Sequence, residues 1–145
     1  MPFLLDVNVL IARTDPGHVH HERVVRWERD RAGELFVTCP LVENGFVRIY
    51  GHPRYPGGPG SPAEALIELR HIRALPAHRF VADDLTLADR GLFLSLEALT
   101  PRQVSDVYLL ALAARHGIHF ATLDSQIPAE RVAQGHRALH VIAER

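Results

Sequence analysis

The sequence predicts an α/β fold of three layers, with a central, mainly parallel sheet of four to five strands between two layers of helices. Short apolar runs alternate with longer amphipathic segments along the whole chain. Proline and serine stand where the amphipathic segments begin, which is typical of helix starts. Strands that alternate with helices favour parallel pairing, because each helix carries the chain back across the sheet.

Four short apolar runs are predicted to be buried strands, and a fifth is a weak edge strand. Each run is bounded by polar, turn or helix-start residues, as expected for strands covered on both faces. The runs are FLLDV (3–7), ELFVTC (34–39), HRFVA (78–82), IHFATL (118–123) and the edge segment 139–142.

The segments between these runs carry helix signals. Ser61 with Glu64, and Thr100 with Gln103, have the spacing of a capping box at a helix start. Gly117 is suited to end the second of these helices. The predicted helices span residues 18–32, 40–50, 62–75, 100–117 and 128–134. The proline- and glycine-rich segment 51–61 is predicted to be a loop, either a lid over a site or a plain connector.

The composition predicts one globular domain, residues 1–145, in the cytoplasm. Apolar residues make up 47% and charged residues 23% of the chain, an ordinary globular balance. We expect no secretory leader and no membrane span. The single cysteine, Cys39, cannot form an internal disulfide, which fits a reducing compartment. A net charge of −1 gives no general attraction to nucleic acid.

Four carboxylates are predicted to meet at one edge of the sheet. Asp6 lies near the end of the first strand and Asp124 just past the end of the fourth, so both face the same rim if those strands are neighbours. Asp106 and Glu43 each share a helix face with apolar residues three, four and seven positions later. A buried carboxylate needs a compensating charge, and no arginine shares these faces, which favours a bound cation.

Each acid also has a simpler explanation. Asp6 can cap the helix that follows it, and Asp124 can begin a turn. Glu43 can favour the dipole of a helix that starts at Pro40. Asp106 lies too far into its helix to cap it. The common position of all four acids at one rim is what favours a shared site.

A cluster of four carboxylates predicts a particular chemistry. Like charges at close range raise one another's pKa values, and a divalent cation removes that repulsion. An all-oxygen ligand set favours Mg²⁺ or Mn²⁺ over Zn²⁺. Such a cation can activate water and stabilise the leaving oxygen of a phosphodiester, so hydrolysis of a nucleic acid is expected.

Four motifs in order resemble those of PIN-domain nucleases, over nearly the whole chain. The similarity is closest to the VapC-type toxins of toxin–antitoxin pairs, and among them to the actinobacterial branch. The motifs are LLDVNVLIA (4–12), VENGFVRIY (42–50), VSDVYLLALA (104–113) and FATLDSQI (120–127).

The resemblance implies an endoribonuclease toxin with a PIN-like fold. It implies an RNA substrate, bound Mg²⁺ or Mn²⁺, a homodimer and inhibition by a cognate antitoxin. The catalytic and metal-binding acids it implies are Asp6, Glu43, Asp106 and Asp124, with Asn8 and Thr122 in supporting positions.

Two other functions compete with the nuclease interpretation. A catalytically silent PIN fold would bind RNA or protein without cutting, although binding alone requires no cluster of acids. A phosphoacceptor domain also holds Mg²⁺ with acids, but it usually needs a lysine near the phosphate. All sixteen basic residues of this chain are arginine.

Other polar groups have less specific interpretations. Three histidines lie together without zinc-like spacing and are predicted to be polar residues at a helix start. Three further aspartates are predicted to be caps and turn residues, and four arginines form either a solvated helix face or an RNA-facing stripe. These groups are His18, His20 and His21; Asp83, Asp84 and Asp89; and Arg23, Arg26, Arg29 and Arg31.

Overall fold

A sheet of five parallel strands forms the centre of the molecule. The computed structural model describes residues 1–144. The strand order is β3-β2-β1-β4-β5, and every neighbouring pair is parallel. The strands are β1 (Phe3–Leu5), β2 (Phe36–Thr38), β3 (His78–Phe80), β4 (His119–Thr122) and β5 (Leu139–Val141). This arrangement confirms the predicted three-layer α/β fold.

Six helices connect and cover the strands. They are α1 (Val7–Thr14), α2 (His21–Arg29), α3 (Pro40–Tyr50), α4 (Pro62–Arg73), α5 (Pro101–Arg115) and α6 (Gly135–Ala138), with a 3₁₀ turn at Ala129–Arg131. Crossovers between parallel strands are right-handed in nearly all proteins. Helices α1 to α4 belong to crossovers that run from β1 toward β3, whereas α5 and α6 belong to crossovers that run the other way. The two sets therefore cover opposite faces of the sheet.

The connections diverge between β1 and β4. These two strands pair directly, with Leu4 opposite Phe120 and Leu5 opposite Ala121. The chain leaves β1 toward β2 on one side, and it leaves β4 toward β5 on the other. Such a divergence opens a crevice at the carboxyl ends of the two strands, where parallel sheets commonly bind ligands.

Several predicted elements are longer than those observed. The first run was predicted as a strand to residue 7, but β1 ends at Leu5 because Asp6 caps α1. The helix predicted over 18–32 begins only at His21, after the turn that contains Gly17, and ends at Arg29. The strands predicted over 34–39, 78–82 and 118–123 lose one or two residues at their ends. The predicted bounds of α3 are confirmed.

The core lies on both sides of β1 and β4. Helix α5 packs against β1 and β4 through its apolar face, which positions the first half of the helix beside the crevice. Its capping box at Thr100 and Gln103 is confirmed. The largest fully buried side chains include Leu4, Leu10, Phe46, Leu110 and Phe120. Among residues 1–144, no helix has the length and apolar character needed to span a bilayer.

Candidate active site

Asp6 is a buried carboxylate at the point where β1 becomes α1. It is 7% exposed. Its Oδ1 accepts a 2.7 Å hydrogen bond from the backbone N–H of Val7, so the predicted capping role is confirmed. Its Oδ2 accepts a 2.8 Å bond from the hydroxyl of Thr122. A carboxylate has about four lone-pair positions, so these two bonds leave capacity for a further partner.

Thr122 links the two strands that flank the crevice. It is the last residue of β4 and is fully buried. Its hydroxyl donates to Asp6 and accepts a 3.1 Å hydrogen bond from the backbone N–H of Asp124. Asp124 is exposed and accepts a 2.8 Å bond from the N–H of Gln126, which forms a turn. Asp124 therefore begins a turn, and it also lies at the rim next to Thr122.

Asp106 faces the same crevice from α5, and its charge interacts with those of Asp6 and Asp124. Partial burial, followed by repulsion from Asp6 and Asp124, raises the pKa of Asp106 to about 6. Burial is also the main reason why the pKa of Asp6 is raised, with a smaller contribution from Asp124. We call Asp6, Asp106 and Asp124 the aspartate cluster. The structure places Asp6 and Asp124 close enough to Asp106 for their charges to affect its pKa.

The aspartate cluster fits a divalent cation that keeps much of its water. Within residues 1–144, no group of three histidine, cysteine or acidic side chains is arranged so that it could hold a metal ion by itself. Mg²⁺ does not require such a group, because it is usually bound by one or two carboxylates, several waters and the substrate phosphate. The mutual repulsion of the three aspartates is the electrostatic property that such a cation relieves.

Glu43 has a different environment from the three aspartates. Its Oε2 accepts a 2.6 Å hydrogen bond from the hydroxyl of Thr38 and forms an ion pair with Arg73 of α4. The Thr38 hydroxyl also lies 2.7 Å from Nε2 of the buried His78. We call the contact between Glu43 and Arg73 the Glu43 ion pair. The sequence favoured a bound cation as the charge that compensates Glu43, but α4 supplies a guanidinium from thirty residues away.

Thr38, His78 and Arg73 were not among the predicted site residues. A signal existed for Thr38, since it ends β2 as Thr122 ends β4. No local signal marks Arg73, because its contact with Glu43 depends on how α4 packs on α3. Asn8, which was predicted to support the site, lies exposed in the first turn of α1.

Of the three aspartates predicted to be caps and turn residues, Asp83 and Asp89 have such contacts. Asp83 accepts a 3.0 Å hydrogen bond from the N–H of Leu41 in the first turn of α3. Asp89 accepts a 2.8 Å bond from the N–H of Gly91, which is a turn contact. Asp84 lies 3.6 Å from His116 at the end of α5.

Two arginines of α2, Arg23 and Arg26, bond to the C-terminal segment, a contact that neither prediction for them anticipated. Arg23 donates to the backbone carbonyls of Ile142 and Ala143, and Arg26 donates to that of Glu144 over 2.8 Å. A purely solvated face is therefore wrong for these two residues, whereas the RNA-facing stripe stays a prediction. The preceding histidines are turn and helix-start residues, as predicted.

The loop at 51–61 is anchored away from the aspartate cluster. The hydroxyl of Tyr55 donates a 2.6 Å hydrogen bond to Asp15, and its ring packs edge-on against Tyr50. Asp15 caps the C-terminal end of α1, whereas Asp6 caps the start. Eight helical residues separate these ends by about 12 Å. The anchored part of the loop is a connector, not a lid over Asp6.

Comparison with protein families identifies the fold. The model of the PIN domain matches residues 3–134, which includes all four predicted acids. The chain belongs to the PIN-domain family. Its relatives include ribonuclease VapC38 of Mycobacterium tuberculosis, which is 40% identical over 86% of each chain. Ribonuclease VapC44 of the same species is 39% identical over 88% of this chain and 89% of its own.

A solved structure supports the same PIN architecture. The crystal structure of Mycobacterium tuberculosis VapC20, a Sarcin-Ricin loop cleaving toxin, superimposes with a TM-score of 0.60. The match covers 91% of this chain and 97% of VapC20, although only 13% of the residues are identical. At this identity the comparison concerns the fold alone. The PIN fold and the VapC group, both suggested by the four motifs, are thereby confirmed.

Proposed function

We propose that this PIN-domain protein is a Mg²⁺- or Mn²⁺-dependent endoribonuclease that acts as the toxin of a toxin–antitoxin pair. The observation that carries the proposal is the aspartate cluster, which lies where the connections of the sheet diverge. Membership of a family whose relatives are named ribonucleases gives the substrate class. Negative charge concentrated at such a crevice repels a phosphodiester placed directly beside the aspartates unless a cation is also bound there.

Each acid has a role that follows from its contacts. Asp6 and Asp106 are the proposed direct ligands, because they are the least solvated members of the cluster. Thr122 positions Asp6 by donating to it from β4. Asp124, which is exposed, is placed to complete the ligand set or to orient water. A bound divalent cation would supply positive charge to the phosphodiester and acidify a coordinated water.

Glu43 is proposed to contribute at the edge of this site. Its carboxylate is already neutralised by Arg73, so it has less need of a metal than the aspartates have. It remains available to orient water or a ligand that reaches the rim. Its direct coordination of the cation would require Arg73 to turn away.

Cleavage of labelled RNA tests the proposed activity. The full chain is incubated with end-labelled RNA in Mg²⁺, in Mn²⁺ and in EDTA. We expect shortened products with either metal and intact RNA in EDTA. RNA that is bound but never cut would favour the silent PIN-fold module, and cleavage that persists in EDTA would reject the role of the metal.

A cognate antitoxin and a homodimer are also proposed. An arginine or lysine from the antitoxin would do at Asp6 and Asp106 what Arg73 does at Glu43, through charge-assisted hydrogen bonds. The apolar side chains of Trp27 and Leu69 pack largely against the core, so neither is proposed as a docking surface for the partner.

Two measurements test these partners. Co-purification with the product of the neighbouring gene tests the antitoxin, and light scattering of the free chain tests the dimer. A stable complex that cuts RNA at the rate of the free chain would reject occlusion of the site.

A further inference from the structure

We propose that Arg73 and Phe80 form a nucleotide-binding subsite for single-stranded RNA beside the aspartate cluster. Arg73 binds a backbone phosphate, and Phe80 stacks against a base. This inference rests on the proposed ribonuclease function, since it names where the substrate strand lies next to the acids.

The contact between these two side chains is the first observation. The guanidinium carbon of Arg73 lies 4.6 Å from the centroid of the Phe80 ring. Phe80 is 45% exposed even though it ends a strand of the central sheet, and the Arg73 side chain is 40% exposed. An accessible aromatic ring with a cation on it is the combination that proteins use to bind single-stranded nucleic acid.

The position of Phe80 places this pair on the rim that carries the acids. Phe80 ends β3 and lies opposite Thr38, the last residue of β2. Two strand spacings, about 10 Å, separate β3 from β1. Asp6 directly follows β1, so the carboxyl ends of β3, β2, β1 and β4 form one continuous edge. A single RNA strand that follows this edge meets Phe80 and then the aspartate cluster.

The carboxylate of Glu43 holds the guanidinium of Arg73 at that edge. Glu43 takes one terminal nitrogen of the guanidinium, and its own side chain is only 16% exposed. A guanidinium has five N–H donors in a planar fork, so the others remain for phosphate oxygens. Fixing one side of the fork reduces the freedom that phosphate binding would otherwise remove.

The charges around the pair are compatible with a phosphate. Arg79, which precedes Phe80 in β3, projects to the opposite face of the sheet, with its guanidinium on the carbonyls of Pro76 and His78. The nearby Asp83 carboxylate is engaged by the N–H of Leu41. This edge of the sheet therefore combines Arg73, paired with Glu43, with an aromatic ring, whereas the aspartate cluster combines acids without an arginine partner among residues 1–144.

Binding without cleavage is the appropriate test. Fluorescence anisotropy with a labelled single-stranded RNA, in EDTA, measures affinity for the full chain as a function of salt. We expect Arg73→Gln and Phe80→Leu each to weaken binding about 5-fold or more. Arg73→Gln should also reduce the slope of log affinity against log salt by about 0.7, whereas Phe80→Leu should leave the slope unchanged. Phe80→Tyr should keep the wild-type affinity.

Arg115→Gln is the matched control, because it removes one exposed arginine at the far end of α5 and should change affinity less than about 2-fold. Unchanged affinity in folded Arg73→Gln and Phe80→Leu would overturn the subsite, as would a wild-type chain that binds no RNA. If Arg73→Gln fails to fold, Phe80→Leu alone decides. Weakened binding in a chain that never cuts RNA would reject the nuclease but support the subsite.

Discussion

In both halves of the candidate site, a threonine that ends a strand donates a hydrogen bond to a carboxylate, but the charges around the two carboxylates differ. Thr122 ends β4 and donates to Asp6, while Thr38 ends β2 and donates to Glu43. In the second half Arg73 neutralises the carboxylate. In the first half no arginine in the described part of the chain pairs with the acids in this way, and burial together with repulsion from Asp6 and Asp124 raises the pKa of Asp106. The exposed Arg102 opposes this rise less strongly than burial and the two aspartates promote it.

This difference indicates which acids depend on a cation from outside the chain. A carboxylate with its own guanidinium is stable in the ionised form without metal. Carboxylates that repel one another are stabilised when metal binds. Substitutions in the two halves should therefore differ in their effects on cleavage and on metal-dependent stability. Equal effects in both halves would contradict this division.

The largest effect is expected on catalysis. Asp106→Asn or Asp6→Asn should reduce RNA cleavage by more than about 100-fold, since each removes a proposed direct ligand. Asp89→Asn, which keeps an acceptor for its turn contact with the N–H of Gly91, should cleave at the wild-type rate. Initial rates on labelled RNA measure the change. A folded Asp106→Asn protein with wild-type activity would show that the site is assigned wrongly.

Metal-dependent stability should also differ between the halves. At a Mn²⁺ concentration 100 times the dissociation constant, binding stabilises the native wild-type chain by about 2.7 kcal/mol. Asp6→Asn should lose most of this gain, whereas Glu43→Gln should keep most of it because Arg73 already compensates Glu43. Thermal melts with and without Mn²⁺ measure the gain. An equal loss in both variants would contradict the proposed division.

The two threonines give a finer comparison. Thr122→Val removes the donor to Asp6 and should weaken apparent Mn²⁺ affinity in the cleavage assay by about 10-fold. Thr38→Val should have a smaller effect, because Arg73 still holds Glu43. Titration of activity with Mn²⁺ distinguishes affinity from maximal rate. A larger effect of Thr38→Val would reverse the proposed importance of the two halves.

The smallest effect concerns pH in the metal-free protein. The folded pKa of Asp106 is about 6, above its ordinary value of 3.8, so the folded state holds this proton more tightly. Stability from this group is present at low pH and is lost as pH rises through about 6. Asp106→Asn avoids that loss. Because Asp106 is partly solvated, the gain at pH 8 should be about 1 kcal/mol, or about 3 °C.

Thermal melts of both proteins in EDTA from about pH 4.5 to pH 8 measure this difference. The advantage of the variant should grow with pH and level off above about pH 7. An advantage that is constant across the range would mean that ionisation of Asp106 is not its cause.

The parts of the molecule that sequence reasoning predicted depend on local patterns. Apolar runs and capping residues located the strands and helices, and the four motifs located the acids. The pairing of β1 with β4 brings Asp6 and Asp124 to one rim, as the parallel topology suggested. Arg73 was beyond reach, because nothing near it in sequence indicates which acid it meets. The role of Asp6 as both a cap and a rim carboxylate shows that the two interpretations were not exclusive.

The hydrogen bond between Thr122 and Asp6 spans 116 positions of the chain. Contacts of such high sequence separation form late in folding, because a long loop must close before they stabilise anything. During synthesis Asp6 emerges from the ribosome long before Thr122, and domains are completed only when their last strands arrive. A nascent chain that ends before β4 therefore cannot assemble the aspartate cluster. Nearly the whole polypeptide must therefore leave the ribosome before the proposed activity can appear.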